Sequence, residues 1–341
     1  MRLRRSSPDK PGWTRRRSGK GFVYLDSHGT RLGDVEQVQR IRDLVIPPAW
    51  QDVWICPWPN GHLQAVGTDV KGRKQYLYHP QWREERDHDK HRRILGFAKR
   101  LPEARIRVGE HLDLPGMPRE RVLATAFRML DLGLFRIGGE AYTQENNSFG
   151  LATLRKEHVQ IHGRSTVEFA YPAKSGVRRT FSIEDKPIAE AVSTLKRRRG
   201  GGSELLAWRG RSGWVDLVSS DISGYVKDVV AHDASAKDFR TWHATVLAAI
   251  AFAGKQEPAS PTALKKTVAQ VMREVAGELG NTPAVCRASY VDPRVVKGFQ
   301  QGTTIRSALR QAHKGAEDAQ PPGIDEAVER AVLRLLRRIG E

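Results

Sequence analysis

Three residues that lie far apart in the chain, Arg136, Arg240 and Tyr290, have side chains suited to breaking a phosphodiester bond without a metal ion. Such a reaction needs a nucleophile, cationic donors for the charge on a pentacoordinate phosphorane, and an acid for the departing oxygen. A tyrosine hydroxyl can serve as the nucleophile, and the planar fork of an arginine can hold two phosphoryl oxygens at once. A single arginine or tyrosine more often has a structural role, so the catalytic assignment rests on the three residues together.

Two predicted helices position the arginines. A helical pattern over 119–132, which begins after a proline and stops at a glycine, ends shortly before Arg136. A second helix over 235–252 carries Arg240 in its first turns, where Lys237 lies on the same face three residues earlier. The positive N-terminal end of this helix favours an anion nearby.

A third helix and a hairpin complete the predicted scaffold. The helix over 261–279 ends at a glycine and precedes the segment that contains Tyr290. Alternating apolar residues over 167–171, a turn, and a returning run over 177–183 predict a β-hairpin with Lys174 at its tip.

The first part of the chain has the pattern of short strands and turns. Between residues 21 and 82, β-branched and aromatic runs alternate with turn residues, and one helix is predicted over 35–44. Five of the eight tryptophans lie in the first 82 residues, which indicates a small unit with an aromatic core. The charged segment 83–99 predicts an exposed helix leading to a second domain, in keeping with a length of 341 residues.

The chain is strongly basic, with 57 lysines and arginines against 39 acidic residues and a net charge of +18. This excess favours a polyanionic partner, with nucleic acid as the leading candidate. Residues 1–20 hold eight of the basic side chains, one acid and little to bury, so we predict a flexible basic arm. Cys56 and Cys286 are too few for a disulfide framework and fit a reducing compartment. We find neither a signal peptide nor an apolar run of about 18 residues.

Six separated blocks of the sequence form a recognisable set. They are Arg40–Trp50 and Asp69–His79 in the first part, and Phe135–Gly138, Glu145–Leu151, Lys237–Trp242 and the segment around Tyr290 in the second. In order and separation, these blocks resemble the type IB DNA topoisomerases, specifically the compact poxvirus-like and bacterial form. The resemblance extends from about residue 21 to residue 304. We find no Walker loop, dinucleotide fingerprint, zinc spacing or nucleophile elbow that would suggest another enzyme class.

The resemblance assigns a role to each catalytic candidate. It implies that Tyr290 attacks a DNA phosphodiester, forms a 3′-phosphotyrosyl link and expels a 5′-hydroxyl. Arg136 and Arg240 would hold the nonbridging oxygens, and Lys174 would protonate the leaving 5′-oxygen. Because a free phenol has a pKa near 10, cationic neighbours must favour the developing phenolate.

Asn281 departs from the family pattern. The viral and eukaryotic relatives place a histidine nine residues before the tyrosine, where this chain has Asn281. Asparagine can donate a hydrogen bond to a phosphoryl oxygen but cannot act as an acid or carry charge. We therefore expect it to orient the phosphate as a neutral donor, and a helix C-cap residue that tolerates left-handed geometry is an alternative reading.

The small domain supplies candidate DNA contacts. Basic side chains would contact phosphates, which gives affinity without sequence reading. Gln75 has the side chain for a base edge in the major groove, and Tyr76 and Tyr78 would share one strand face. The set of DNA-binding candidates is Lys71, Arg73, Lys74, Gln75, Tyr76, Tyr78 and Lys237.

The expected fold is α+β, with a small, mainly β N-terminal domain and a larger, mainly α catalytic domain that carries a β-hairpin. The resemblance implies that the two form a clamp around duplex DNA. The expected divisions are a flexible arm over 1–20, a DNA-binding domain over 21–88, a catalytic domain over 89–311, and a linker with a C-terminal helix over 312–341.

The implied activity is relaxation of supercoiled DNA without ATP or a metal. One strand would be cleaved, allowed to rotate and resealed. No cofactor is expected to be required, although Mg²⁺ can stimulate. The expected partner is duplex DNA, preferably supercoiled, bound by a monomer without a membrane, in the cytoplasm at a bacterial nucleoid.

Two other functions stay open at this stage. A tyrosine recombinase uses related chemistry, but such proteins usually carry His-x-x-Arg where this chain has Lys237 and Arg240, and they lack a domain like Asp69–His79. A non-enzymatic DNA-packaging protein is supported by the charge alone.

Overall fold

The computed structural model describes residues 2–312 and 324–340. The chain divides into two compact units, residues 1–92 and 93–341, and the division falls within one long helix. The sequence placed the boundary four residues earlier, in the same charged segment. The predicted linker falls on residues 313–323, which lie outside the described residues.

The first unit is built on an antiparallel sheet of five strands in the order β2-β1-β3-β4-β5. Its small core contains Trp13, Ile41, Val53, Ile55 and Ala65. The elements are β1 (Trp13–Ser18), β2 (Gly21–Leu25), α1 (Val35–Asp43), β3 (Gln51–Ile55), β4 (Leu63–Thr68) and β5 (Lys74–Tyr78), followed by the start of α2 (Pro80–Leu112).

The predicted flexible arm over 1–20 is wrong, because β1 forms an inner strand of this sheet between β2 and β3. Trp13 at its start is 9% exposed and belongs to the core. Arg15 is held in place as well. Its guanidinium donates to three backbone carbonyls, those of Ile46, Pro47 and Trp50, at 3.0, 2.6 and 2.8 Å. The high charge of the segment suggested a solvent-exposed arm, but the segment contains a strand in which Arg15 binds carbonyl oxygens of the protein itself.

The second unit is mainly helical. After α2, its helices are α3 (Arg119–Gly133), α4 (Glu140–Asn146), α5 (Lys186–Arg197), α6 (Ser219–Val229), α7 (Ala236–Gly254), α8 (Pro261–Leu279), α9 (Pro283–Ser289), α10 (Pro293–Gln300), α11 (Arg306–Ala312) and α12 (Glu326–Gly340). A three-stranded antiparallel sheet contains β6 (Val159–His162), β7 (Thr166–Pro172) and β8 (Arg178–Glu184), and a hairpin contains β9 (Ala207–Gly210) and β10 (Gly213–Asp216).

These two units confirm the predicted fold class. The β7–β8 pair is the predicted hairpin, with the turn Lys174–Gly176 between its strands. The predicted helices over 119–132, 235–252 and 261–279 differ from α3, α7 and α8 by at most two residues at either end. Among the residues that the structure describes, none of the helices is both long and apolar enough to span a bilayer.

Replacing Trp13 by alanine tests the place of β1 in the core. We expect Trp13→Ala to lower the free energy of unfolding by about 3–5 kcal/mol, because a buried aromatic side chain is lost and a cavity is left. Denaturant unfolding followed by circular dichroism measures the change. Arg17→Ala, on the exposed part of the same strand, is the control and should change little. Equal stability of the two variants would instead indicate a detached arm.

Candidate active site

Tyr290 directly follows the short helix α9 and is half-buried. Its backbone N–H donates to the carbonyl of Cys286 at 3.0 Å. The hydroxyl of Thr245, from α7, lies 3.3 Å from the Tyr290 carbonyl and accepts the N–H of Asp292 at 3.1 Å. These contacts fix the backbone from which the candidate nucleophile projects.

Arg240 lies beside this tyrosine, in the first turns of α7, and is only 2% exposed. Its guanidinium carbon lies 5.3 Å from the centre of the Tyr290 ring, and the Lys237 ammonium lies 5.8 Å from the same centre. The guanidinium donates to the carbonyl of Leu134 and, at 2.8 Å, to that of Leu279. Its buried Nε has no hydrogen-bond partner among the described residues.

Arg136 lies in the loop after α3 and reaches the end of α8. Its Nη2 donates to the carbonyl of Gly280 at 3.1 Å and to the side-chain oxygen of Asn281. The loop is held by a close backbone approach, because a Cβ added to Gly150 would lie 2.4 Å from the Cα of Gly138. Only glycine fits at this contact, which accounts for the glycines in two of the sequence blocks.

Asn281 begins the segment that leads from α8 to α9. Its backbone N–H donates to the carbonyl of Ala276 at 2.9 Å, as in a helix C-cap. The cap residue, with left-handed geometry and φ of 60°, is Gly280, so the C-cap alternative for Asn281 is wrong. The side-chain Nδ2 is buried and has no partner among the described residues.

Arg179 is a third arginine of this cluster and was not predicted from the sequence. Arg179, on β8, donates to the carbonyls of Leu279 at 2.8 Å and Glu278 at 3.0 Å, both at the end of α8. Its guanidinium also lies 4.7 Å from the centre of the Phe181 ring. The available signal was its position on the strand that returns from Lys174, but nothing in the sequence indicates which helix that strand approaches.

The cations determine the electrostatics of the site. Burial by itself would raise the pKa of Tyr290, but the positive charges of Arg240, Lys237 and Arg136 outweigh it and lower that pKa below its ordinary value. Burial, together with repulsion from Arg136, lowers the pKa of Arg240 to about 10. The site therefore favours a phenolate or another anion, such as a phosphate.

Lys174 is exposed at the tip of the β7–β8 hairpin. It lines an open cavity of about 400 Å³ together with Arg136, Arg179 and the end of α8. The structure thus brings Tyr290, Arg240, Lys237, Arg136 and Asn281 together and places Lys174 on the cavity that Arg136 also lines.

In the first unit, Asp69 organises the candidate DNA-binding turn. Its carboxylate accepts hydrogen bonds from the guanidinium of Arg73 at 2.7 and 2.9 Å and from the amide of Gln75 at 3.0 Å. These bonds, with that of Arg73 foremost, hold the pKa of Asp69 well below its usual range. Arg73 and Gln75 are therefore oriented by the same carboxylate.

The other candidates form an exposed surface around β5. Tyr76 and Tyr78 lie on one face of the strand, with stacked rings whose centres are 6.2 Å apart. Lys74 lies on the same face, and Lys71 is exposed in the turn that precedes it. This arrangement of cations and aromatic rings suits a phosphate backbone.

Comparison with known families matches both parts of the chain. Residues 79–315 match the family described as the catalytic core of eukaryotic DNA topoisomerase I. Residues 21–69 match the N-terminal domain of bacterial DNA topoisomerase IB.

Three individual proteins similar to this chain are also DNA topoisomerases. The chain is 29% identical over 288 residues to DNA topoisomerase 1B of Acanthamoeba polyphaga mimivirus, which covers 82% of this chain and 85% of the viral protein. It is 22% identical over 244 residues to DNA topoisomerase 1B of Vaccinia virus (strain Copenhagen), covering 69% of this chain and 72% of that protein. It is 24% identical over 201 residues to DNA topoisomerase 1 of Schizosaccharomyces pombe, covering 56% of this chain and 22% of the yeast protein.

Removal of Lys237 tests the electrostatic account of Tyr290. Lys237→Ala removes one of the charges that favour the phenolate, so the pKa of Tyr290 should rise. Ultraviolet titration of the phenolate measures it, with the Tyr290→Phe protein subtracted to isolate this tyrosine. Deprotonation should then begin at higher pH than in the unaltered protein. Arg287→Ala, which removes an exposed cation of α9, is the control, and an equal shift in that variant would contradict the account.

Proposed function

Because the chain belongs to the type IB DNA topoisomerase family, we propose that it relaxes supercoiled duplex DNA by cleaving one strand, allowing rotation and resealing it. The observation that carries the chemical part of this proposal is a pair of buried donors, one on Arg240 beside Tyr290 and one on Asn281, which is bonded to Arg136. Nε of Arg240 and Nδ2 of Asn281 have no hydrogen-bond partner among the described residues. An unsatisfied buried donor costs free energy, and the nonbridging oxygens of a phosphodiester would satisfy both.

In the cleavage step, the Tyr290 oxygen attacks phosphorus and releases its proton to water. The bond from phosphorus to the 5′-oxygen breaks, and Lys174 protonates that oxygen, leaving a 3′-phosphotyrosyl link and a 5′-hydroxyl. The lowered pKa of Tyr290 supports its role as the nucleophile. Resealing is the reverse reaction, in which the 5′-hydroxyl attacks the link and Tyr290 departs.

Arg136 and Arg240 would stabilise the charge that develops on the nonbridging oxygens. Both are held by carbonyl oxygens of the protein, so the cluster is preorganised before DNA arrives. Asn281 is oriented by Arg136 and would add a neutral donor.

We propose that neither ATP nor a metal is required. The phosphotyrosyl link retains the energy of the broken bond, and the arginines provide the charge that a metal clamp provides in other phosphoryl-transfer sites. Mg²⁺ would increase the rate of relaxation without being required for it.

The first unit would hold the duplex. Lys71, Arg73 and Lys74 would contact phosphates, and Gln75 would contact a base edge. The exposed tyrosines of β5 support this assignment, because their rings can pack on the DNA backbone. We expect the protein to act as a monomer on DNA in the bacterial nucleoid.

A plasmid assay tests the reaction. The unaltered protein should relax supercoiled plasmid in EDTA without ATP and should form a covalent adduct that survives denaturation. Tyr290→Phe should bind DNA with similar affinity yet form no adduct, because it lacks the attacking oxygen. Failure of folded protein to relax the plasmid would refute the function, and strand exchange between two marked duplexes would indicate a recombinase instead.

Lys174 is tested by changing the leaving group. Lys174→Ala should slow cleavage by about 10²–10⁴-fold, the usual contribution of a general acid. A substrate whose 5′-oxygen is replaced by sulfur, a better leaving group that needs less protonation, should restore most of the rate. Arg178→Ala, on the same cavity, is the matched control and should show no preference for the sulfur substrate. Lack of rescue in Lys174→Ala would contradict the acid role.

A further inference from the structure

The C-terminal helix α12 brings a buried carboxylate into the second unit. Glu329 is only 4% exposed and lies on the buried face of this amphipathic helix. The helix lies beyond residues 79–315, the part of the chain that matches the catalytic core of eukaryotic DNA topoisomerase I. A buried charge needs partners, so the contacts of Glu329 indicate what the helix does.

Glu329 shares the guanidinium of Arg105 with a second carboxylate, Asp131. Arg105, on α2, donates to the Asp131 oxygens at 2.8 and 3.0 Å. Its Nη1 donates to one oxygen of Glu329 and its Nη2 donates to the other at 3.1 Å. Burial by itself would raise the pKa of Asp131, but the nearby His243 and the hydrogen bonds and charge of Arg105 hold it well below its usual range. Both carboxylates therefore depend on the same cation.

Two residues of α7 also contact this cluster. Trp242, which is fully buried and lies two residues after Arg240, donates from Nε1 to the Glu329 carboxylate at 2.7 Å. The next residue, His243, has its Nε2 3.3 Å from Asp131. The turn of α7 that carries Arg240 is thus hydrogen-bonded to α12 through Trp242, and the next residue, His243, lies against Asp131 of α3.

A second series of contacts connects α12 to the backbone that follows Tyr290. The carbonyl of Leu336 lies 3.3 Å from the Nη1 donor of Arg294. Arg294 makes a bidentate pair with Asp292, at 2.7 and 3.0 Å. The N–H of Asp292 donates to the hydroxyl of Thr245, which lies 3.3 Å from the carbonyl of Tyr290. Helix α12 is therefore connected both to the turn of α7 that carries Arg240 and, through Arg294 and Asp292, to the backbone beside Tyr290.

We propose that Glu329 is a positioning residue for DNA cleavage, setting the Arg240 turn of α7 against Tyr290 through Trp242 and Arg105. This inference rests on the proposed function. The alternative is that α12 only adds packing and stability. The two differ because a positioning role predicts a slower chemical step in protein that is folded and saturated with DNA.

Glu329→Gln removes the charge while retaining nearly the same shape. The amide offers one acceptor oxygen in place of two and turns a donor toward Arg105, so the link to Trp242 or to Arg105 must weaken. We expect the cleavage rate constant at saturating protein to fall by about ten- to hundredfold, since small misplacements of catalytic groups have such effects. The dissociation constant for DNA should be unchanged, because no DNA contact is removed. Covalent adduct formation in single turnover measures the rate.

Val332→Ala is the matched control for packing. Val332 is fully buried on the same helix, and its apolar side chain has no part in the hydrogen-bonded cluster. This variant should lose stability without a loss of cleavage rate, when both variants are measured well below their melting temperatures. Slowing of Val332→Ala as large as that of Glu329→Gln would assign the effect to packing and overturn the proposal.

Trp242→Phe provides the second test, since it keeps an aromatic core residue and removes the donor to Glu329 together with part of the ring volume. It should slow cleavage, and the double variant with Glu329→Gln should be little slower than the slower single variant. Additive losses, or cleavage at the unaltered rate in Glu329→Gln, would overturn the proposal. If Glu329→Gln does not fold, the rate of Trp242→Phe decides alone. Absence of an adduct with the unaltered protein would instead refute the proposed function.

Discussion

The site depends on hydrogen bonds from arginines to carbonyl oxygens at helix C-termini. Arg136, Arg179 and Arg240 would repel one another in isolation, yet all three donate to the carbonyls that end α8, and Arg240 also donates to Leu134 after α3. The C-terminal end of a helix carries partial negative charge and unpaired carbonyls. Because these arginines are bound by backbone carbonyls, which carry only partial charges, their positive charge is not neutralised and is available to an anion such as a phosphate.

The rest of the second unit follows from that constraint. The ends of α3 and α8 must meet, so the loop after α3 is held by the glycine contact between Gly138 and Gly150. The α7 helix must begin at the same place, and its buried cluster with α2, α3 and α12 fixes it there. The cations then converge on Tyr290 and lower its pKa, although burial by itself would raise it.

Much of this arrangement can be predicted from local sequence. Proline and glycine mark the ends of α3 and α8, so these ends and the place of Arg136 after α3 were predicted nearly to the residue, whereas the short helix α9 that directly precedes Tyr290 was not predicted. The contributions of Arg179 and Glu329 could not be predicted, because they depend on contacts with residues 87 to 224 positions away. The strand β1 was missed for a related reason. Its charge suggests solvent, while the carbonyls that receive Arg15 come from a distant loop.

The hydroxyl of Thr245 has a mechanical consequence for the proposed intermediate. While the cleaved strand is attached to Tyr290, torque from the rotating DNA pulls on one point of the protein backbone. Two residues after Tyr290, the N–H of Asp292 donates to the Thr245 hydroxyl of α7, a helix of 19 residues in the core, and Tyr290 itself is bonded to the seven-residue helix α9. In the proposed intermediate, the load would therefore be shared with the helix that carries Arg240, and the attached DNA end would stay beside the cations proposed to take part in resealing.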